Sequence, residues 1–382
     1  MSLDGSHSGS APDKPRHWKR RLRWAALALA IAFIAAAWGV KDYVRTLNSL
    51  RRVPGTNAFV MDYYADYHIG EIRTRGMDVD HIEDSLIETL FPSMIAAVAR
   101  RVKSAYLPQS LTRIDSSGEH CSTLALRSES GEVFFGRNFD WKHDACLILR
   151  IHDDRGTASL SVLDLAYLNL NRPDLDQTNL LARIPLLFAP YYLMDGVNRH
   201  GVAVAGMSAE AEPPRAAGKP AIIDATLMRL ILDQATTADE AVDLARQFNV
   251  HFVDTQEHLM VADRSGQFRV IEFVDGELRV TSTERPWQVC TNHILWNKSE
   301  RENDNACERY RTGSDLAESL ARAADYADAV RIARSMSAPG YTMWTSVYNL
   351  TSREARVLYR TGDSEEYCDA LDVMRDEGVA SP

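Results

Sequence analysis

The stretch HCSTLALRSESGEVFFGRNFDW, His120 to Trp141, limits the fold more than any other part of the chain. Apolar and polar residues alternate on both sides of ESGE, which reads as two strands joined by a tight turn. A cysteine, Cys121, stands at the start of the first strand. Arg137, Asn138 and Asp140 crowd the end of the second. A thiol needs a base or a neighbouring cation to attack a carbonyl, and no histidine lies at an obvious spacing from Cys121. A papain-like arrangement could draw on His293 beside Asn292, but such a cysteine sits at a helix start, where the dipole favours thiolate. The other candidate base is the α-amine of Cys121 itself, which titrates near neutrality at about 7.7 and is fixed to its nucleophile. That chemistry requires scission between His120 and Cys121.

The hairpin belongs to a chain of 382 residues with 45 % apolar and 25 % charged content, the profile of a globular protein with a large core. The net charge of −10 is unevenly spread. Six basic and two acidic residues precede Trp24, a balance of +4, so the remainder carries −14. An acidic body argues against nucleic acid as a partner. The run WAALALAIAFIAAAWGV, 24–40, has 17 residues without a charge, at the lower limit for a membrane span. Its basic flank places residues 1–23, a polar tail expected to be disordered, in the cytoplasm and the body on the other side. A signal peptide would be cut after a small-residue pattern such as Ala35–Ala37. A signal anchor would keep the run as a tether, and the length of the run and Trp38 at its end favour the anchor.

Residues 41–56 read as a linker. Over 57–110, DHIEDSLIETLFPSMIAAVARRV offers Asp80 and Glu83 as a capping box and a helical face of Ile82, Leu86 and Leu90, continued by Ile95, Val98 and Val102 beyond Pro92. The expectation is a helical layer that packs on the catalytic body. After Cys121 the texture runs strands, helices (221–248, with Thr237 or Asp239 as a cap), strands, helices (307–336) and a closing hairpin. This is a layered α+β pattern with antiparallel hairpins. Five cysteines are an odd number for an exported chain, and Cys290 and Cys307 are a candidate pair. The sequence has no CxxC, no HExxH and no glycine-rich phosphate loop, and its 11 histidines show no metal spacing, so neither a metal nor a nucleotide cofactor is expected.

Cys121 with its short strand, turn and FGRNFDW resembles the choloylglycine hydrolase group of N-terminal nucleophile (Ntn) cysteine hydrolases. That group includes bile salt hydrolases and penicillin V acylases, and is related to acid ceramidase, N-acylethanolamine amidase and the acyl-CoA:isopenicillin acyltransferases. The likeness continues in order through DGVNRHGVAVAGMS, CTNH, CERY and WTSVYNL, over about residues 121–360. It implies a four-layer αββα sandwich over 121–382 and a linear-amide hydrolase. It implies Cys121 as nucleophile with its amine as base, Asp140 to hold that amine, and Arg137 beside the sulfur. Asn292 would donate to the oxyanion, and Arg309 would support the electrostatics, with Arg311 as the alternative for that last role. The competing readings are a surface ion pair for Arg137 and Asp140 and a turn residue for Asn292. Ser208 and Asn198 are expected at the substrate.

Two departures stand out. Ser208 replaces the asparagine that bile salt hydrolases carry after AG[LM], and more than 100 residues precede Cys121, as in the acid ceramidase-like members that cut themselves. The apolar stretch LLARIPLLFAPYYLM, Leu180 to Met194, is a candidate wall for a lipophilic acyl group, with plain core as the other reading. Expected partners are a small N-acyl amide and, through the N-terminal run, a membrane. The alternatives are an acyltransferase that passes the acyl group to an amine and a non-catalytic exported binding protein of the same fold.

Overall fold

The structure, a computed structural model, describes residues 40–91, 120–142, 145–154, 156–253, 255–360 and 367–370. The apolar run up to residue 39 lies outside them, as do the helical positions Ile95, Val98 and Val102. Among the described residues no helix is long and apolar enough to cross a membrane.

Two sheets carry the architecture. In the smaller, the spatial order is Trp287–Cys290, His120–Arg127, Val133–Asp140, Thr342–Asn349, Glu354–Arg360 and Tyr367–Ala370, with every pairing antiparallel. In the larger, the order is Arg51–Arg52, Ala58–Tyr63, Cys146–Asp153, Gly156–Asp164, Asp195–Asn198, Val202–Ser208, Glu257–Asp263, Phe268–Val274 and Glu277–Thr281. All its pairings are antiparallel except that of Ala58–Tyr63 with Cys146–Asp153, which is parallel. The sheets meet through His120–Arg127 and Val202–Ser208. Helices Asp224–Gln234 and Ala238–Ala245 pack on the larger sheet, and Glu308–Leu320 and Tyr326–Ser335 on the smaller. The layered α+β pattern read from the sequence is therefore a sandwich of two sheets with helices on the outer faces.

This layering explains the burial of the hairpin. A strand covered on both faces buries both of its alternating sets of side chains, and Val133–Asp140 and Thr342–Asn349 are buried throughout. Arg137, Asn138 and Asp140 are consequently interior groups that must find partners. Asn138 does so by joining three strands and a helix. Its Nδ2 donates to Ser122 Oγ (2.9 Å) and to the carbonyl of Ala333 (2.6 Å), and its Oδ1 accepts from Thr345 Oγ1 (2.7 Å). Gly201 allows the turn before Val202, as its place in the sequence suggests. Its φ is +76°, and a Cβ there would meet the carbonyl oxygen of Leu350 at 2.4 Å.

The N-terminal segment departs from expectation. Helices form at Ile69–Arg75 and Ile82–Leu90, but 58–63 is a fully buried strand of the larger sheet rather than part of a helical layer. The run AFVMDY is rich in residues that suit a strand covered on both faces. Asp80 does not cap the second helix. His81 holds the cap position and makes no side-chain cap bond there. Thr237 does cap Ala238–Ala245, accepting from the Glu240 N–H. Cys121, Cys146, Cys290 and Cys307 are thiols, so the suggested Cys290–Cys307 disulfide is absent.

Asp62 locks the N-terminal strand to its parallel neighbour. Its carboxylate accepts from Arg150 Nη2 (2.8 Å) and lies 2.7 Å from His152 Nε2. Burial alone would raise the carboxyl, but the hydrogen bonds and charges of His152 and Arg150 outweigh it and hold it well below the usual carboxylate range. A depressed carboxylate stabilises the fold above its unfolded pKa of about 3.9 and loses that contribution as the pH falls. Asp62→Ala should cost about 3 kcal/mol near pH 7, because it leaves Arg150 without its buried partner. Urea unfolding should show the variant and the parent converging as the pH is lowered below about 4.

Candidate active site

The strand register brings the chemistry-bearing residues together. Cys121 stands opposite Phe139 and Thr123 opposite Arg137. With a side-chain period of two, Cys121, Thr123, Arg137 and Phe139 share one face, the face turned toward the larger sheet, where Thr123 Oγ1 meets Met207 Sδ. Asp140 lies on the other face, toward the helices. The guanidinium of Arg137 reaches diagonally across the pair. Its Nη2 donates to Cys121 Sγ (3.2 Å) and to the carbonyl of Gly206 (3.3 Å), and its Nη1 is 3.8 Å from Asp195 Oδ2. The sequence reading missed Asp195, which is fully buried and accepts from the hydroxyl of Tyr348. Burial raises its carboxyl, and Arg137 and the Tyr348 hydroxyl pull against that rise.

On the opposite face one network runs from Thr342 to the Cys121 nitrogen. Thr342 Oγ1 donates to Asp140 Oδ1 (2.5 Å), and Arg309 Nη1 donates to Asp140 Oδ2 (2.7 Å). Arg309 Nη2 donates to Asn292 Oδ1 (2.9 Å), which also accepts the backbone N–H of Cys121 (2.8 Å). Asn292 Nδ2 donates one hydrogen to the carbonyl of Ser208 (2.9 Å) and has a second to give. Burial pushes the Asp140 carboxyl up to about 6, against the downward pull of Arg309, Thr342 and Arg137.

The structure thus brings Cys121, Arg137, Asp140, Asn292, Arg309 and Ser208 into one site. Arg137 and Asp140 are interior, not a surface pair, and Asp140 is linked to the Cys121 nitrogen through Arg309 and Asn292. Ser208 contributes its carbonyl, while its hydroxyl is 3.1 Å from Thr255 Oγ1. Arg311, the alternative to Arg309, is half exposed and pairs with Glu308 (3.7 Å).

Asn198 departs from expectation, and two alternatives that the sequence left open, His293 and Leu180–Met194, are decided by their surroundings. Asn198 is not a substrate group. Its Nδ2 donates to the carbonyls of Leu232 (3.1 Å) and Ala235 (2.8 Å), and its Oδ1 accepts from the N–H groups of His200 (2.9 Å) and Val202 (3.0 Å). With all four capacities used in a buried turn, it braces the strand end remote from Ser208. His293 is not a base for Cys121. Its Nδ1 is 3.0 Å from Thr291 Oγ1, its ring packs edge-on to Tyr310, and burial first, then His258, lower it to about 4. The Leu180–Met194 stretch is core from Pro185 onward, while Leu181 is exposed. Ile184–Tyr191 forms a 3-10 helix buried from Pro185 onward, and Tyr192, Leu193 and Met194 border a small cavity of about 20 Å³, room for about one water.

The cleft at the Cys121 nitrogen is open. It measures about 400 Å³ and is lined by His120, Asn292, His293, Ala306, Cys307, Glu308 and Arg309. Among the described residues no group of histidine, cysteine and acidic side chains could hold a metal ion.

Comparison with known proteins bears out the resemblance read from the motifs. Residues 181–361 match the family model described as acyl-coenzyme A:6-aminopenicillanic acid acyl-transferase. A penicillin V acylase from Pectobacterium atrosepticum is 34 % identical over 111 residues, which are 26 % of this chain and 29 % of that protein. The match therefore spans under a third of that relative's length. Among solved structures, penicillin V acylase from Agrobacterium tumefaciens superposes with a TM-score of 0.47 at 18 % identity, over 63 % of this chain and 83 % of its own. A mutant conjugated bile acid hydrolase from Clostridium perfringens gives 0.47 at 14 %, over 67 % and 93 %.

Arg309 is the partner that keeps Asp140 charged against burial. Because the folded pKa of Asp140 is raised, the native chain takes up this proton before the unfolded chain does, and this group strengthens the fold as the pH falls from about 6 toward 4. Arg309→Met should raise the Asp140 titration further. Denaturant unfolding should show a loss of about 3 kcal/mol at pH 8, where a buried carboxylate is left unpaired, and a much smaller loss at pH 5.

Proposed function

We propose that this chain is a self-processing N-terminal-cysteine amidase of the Ntn hydrolase type, acting on the C–N bond of linear N-acyl amides. The observation that carries the reading is the arrangement at Cys121. Its sulfur is held by Arg137, and its nitrogen ends a network through Asn292 and Arg309 to Asp140. Peptide scission before Cys121 converts that nitrogen into an α-amine already seated on Asn292 Oδ1, and removal of His120 opens the cleft that it lines.

In the first step Cys121 Sγ attacks the carbonyl carbon of His120, and the peptide C–N bond breaks as a thioester forms. Water then hydrolyses the thioester, leaving a carboxylate on His120 and a free amine on Cys121. In turnover that amine accepts the thiol proton, and the thiolate, favoured by the Arg137 guanidinium, attacks the substrate carbonyl. The tetrahedral oxygen carries negative charge, and the second N–H of Asn292 would donate to it, a contribution of about 10²–10³ in rate for such a donor. The C–N bond breaks as the leaving amine takes the proton, and water releases the acid and restores the thiol. Ser208 orients Asn292 through its carbonyl.

The N-terminal fragment would stay bound after scission, because Ala58–Tyr63 is hydrogen-bonded within the larger sheet. In this reading the 24–40 run tethers the catalytic body outside the cytoplasm. Leu180–Met194 does not line the cleft at the Cys121 nitrogen and supplies no argument for a lipophilic acyl group; the substrate class is N-acyl amides.

The acyltransferase reading keeps every step except the last, where an amine rather than water takes the acyl group. It is favoured by the description of the family model that residues 181–361 match. Adding an acceptor amine to the amidase assay separates the two, since a transferase yields the new amide at the expense of free acid.

Intact mass and N-terminal sequencing of the purified protein should find a fragment that begins at Cys121. Cys121→Ala should abolish both scission and amide hydrolysis, and Asp140→Asn should lose about 10²-fold or more in turnover while staying folded. A single uncut chain with full activity would overturn the proposal. An uncut and inactive one would favour the exported binding protein.

A further inference from the structure

The segment that carries Asn292 is held from behind by a buried pair that the proposed chemistry does not touch. The register that sets Leu259 opposite Ile271 brings His258 and Glu272 side by side on neighbouring strands of the larger sheet. His258 Nε2 is 2.7 Å from the carbonyl oxygen of Thr291, the residue before Asn292, so that nitrogen carries a proton and donates it. His258 Nδ1 is 3.5 Å from Glu272 Oε1. The same Glu272 oxygen accepts the backbone N–H of Leu295 (2.5 Å), and its Oε2 accepts from Thr281 Oγ1 (2.8 Å). Residues 291–295 are therefore gripped at both ends by one imidazole–carboxylate pair anchored in the opposite sheet.

The thiol of Cys290 lies 3.4 Å from His258 Nε2. Cysteine, histidine and carboxylate here follow the order of a nucleophilic triad. All three side chains are fully buried, however, and no substrate carbonyl can reach the sulfur. Burial raises the Cys290 thiol, so it is a neutral neighbour near pH 7. Burial also works against a charged imidazole, and the hydrogen bond and charge of the Glu272 carboxylate work for it. A charge-assisted pair is stronger and more directional than a neutral one, which suits a fixed support better than a proton carrier.

We infer that His258 and Glu272 are positioning residues for the amidase reaction, acting through the Thr291 carbonyl and the Leu295 N–H to set the Asn292 amide against the Cys121 nitrogen and the reacting carbonyl. This rests on the role given above to Asn292. The requirement is geometric, since Asn292 must face the Cys121 nitrogen, Arg309 and Ser208 at once, and a shift of about 1 Å in such a group costs about 10²-fold in rate.

A double-mutant cycle on the processed full-length protein tests it. His258→Leu should lower kcat by about ten- to hundred-fold with KM within about two-fold of the parent, and His258→Gln, which keeps a donor, should recover part of the loss. In the Asn292→Ala background, His258→Leu should cause little further loss, because the two act as one unit. Should His258→Leu fail to fold, Glu272→Gln carries the same cycle, with a smaller loss in kcat that again vanishes beside Asn292→Ala. Losses that multiply in the double variant, or a change confined to KM, would overturn the positioning role and leave Asn292 in place. An unchanged kcat in Asn292→Ala would overturn the role of Asn292 itself and the inference with it.

Discussion

The antiparallel register that sets Cys121 opposite Phe139 and Thr123 opposite Arg137 underlies everything else in the site. A slip of one residue would turn Arg137 to the helix side and Asp140 to the sheet side. Both ends of the site depend on this choice. The guanidinium lies beside the sulfur because it shares the Cys121 face. The carboxylate reaches Arg309 because it does not. Asn138, between them, pins the register by bonding Ser122, Thr345 and the carbonyl of Ala333.

Burial sets the electrostatic character of the site. Arg137 is held in the interior, where its field is little screened, between Cys121, the Gly206 carbonyl and the Asp195 carboxylate. Asp140 meets the opposite pull of burial and of Arg309, and the balance leaves it near 6. Neither group could hold its charge in this interior alone. That is why the site is a connected network of Thr342, Asp140, Arg309 and Asn292 rather than a set of independent side chains.

The N-terminal segment has a structural role of its own. Strand Ala58–Tyr63 pairs in parallel with Cys146–Asp153, and Asp62 ties it to Arg150 and His152. The larger sheet is therefore completed by residues that lie before Cys121 in the chain. A body starting at Cys121 would expose the hydrogen-bonding edge of Cys146–Asp153.

Much of the chemistry was legible in the sequence. The alternation on either side of ESGE marked the hairpin, because side-chain period and turn composition are local properties. The ordered motifs pointed to Cys121, Arg137, Asp140, Asn292 and Arg309, which the fold brings together from residues 121 to 309. What sequence reading missed were partners defined only across the sandwich. Strand Ala58–Tyr63 went unrecognised because a six-residue run interrupted by Asp62 has no decisive period and its pairing partner lies far along the chain. Asn198 was placed at the substrate because its motif did so, yet its four hydrogen bonds are spent on a turn. Leu180–Met194 was open to either reading, since apolar composition does not say which surface an element faces. Asp195 opens the DGVN motif but its role there was not read, and His258 and Glu272 gave no local signal, since a buried carboxylate or imidazole is identified by what surrounds it. The sequence by itself determined the hairpin, the place of Cys121 at its start and the order of the residues around it, because these depend on neighbours in the chain. Only the tertiary structure decided which side chains share a face, which charges are buried together and what holds Asn292, because those depend on how two sheets are set against each other.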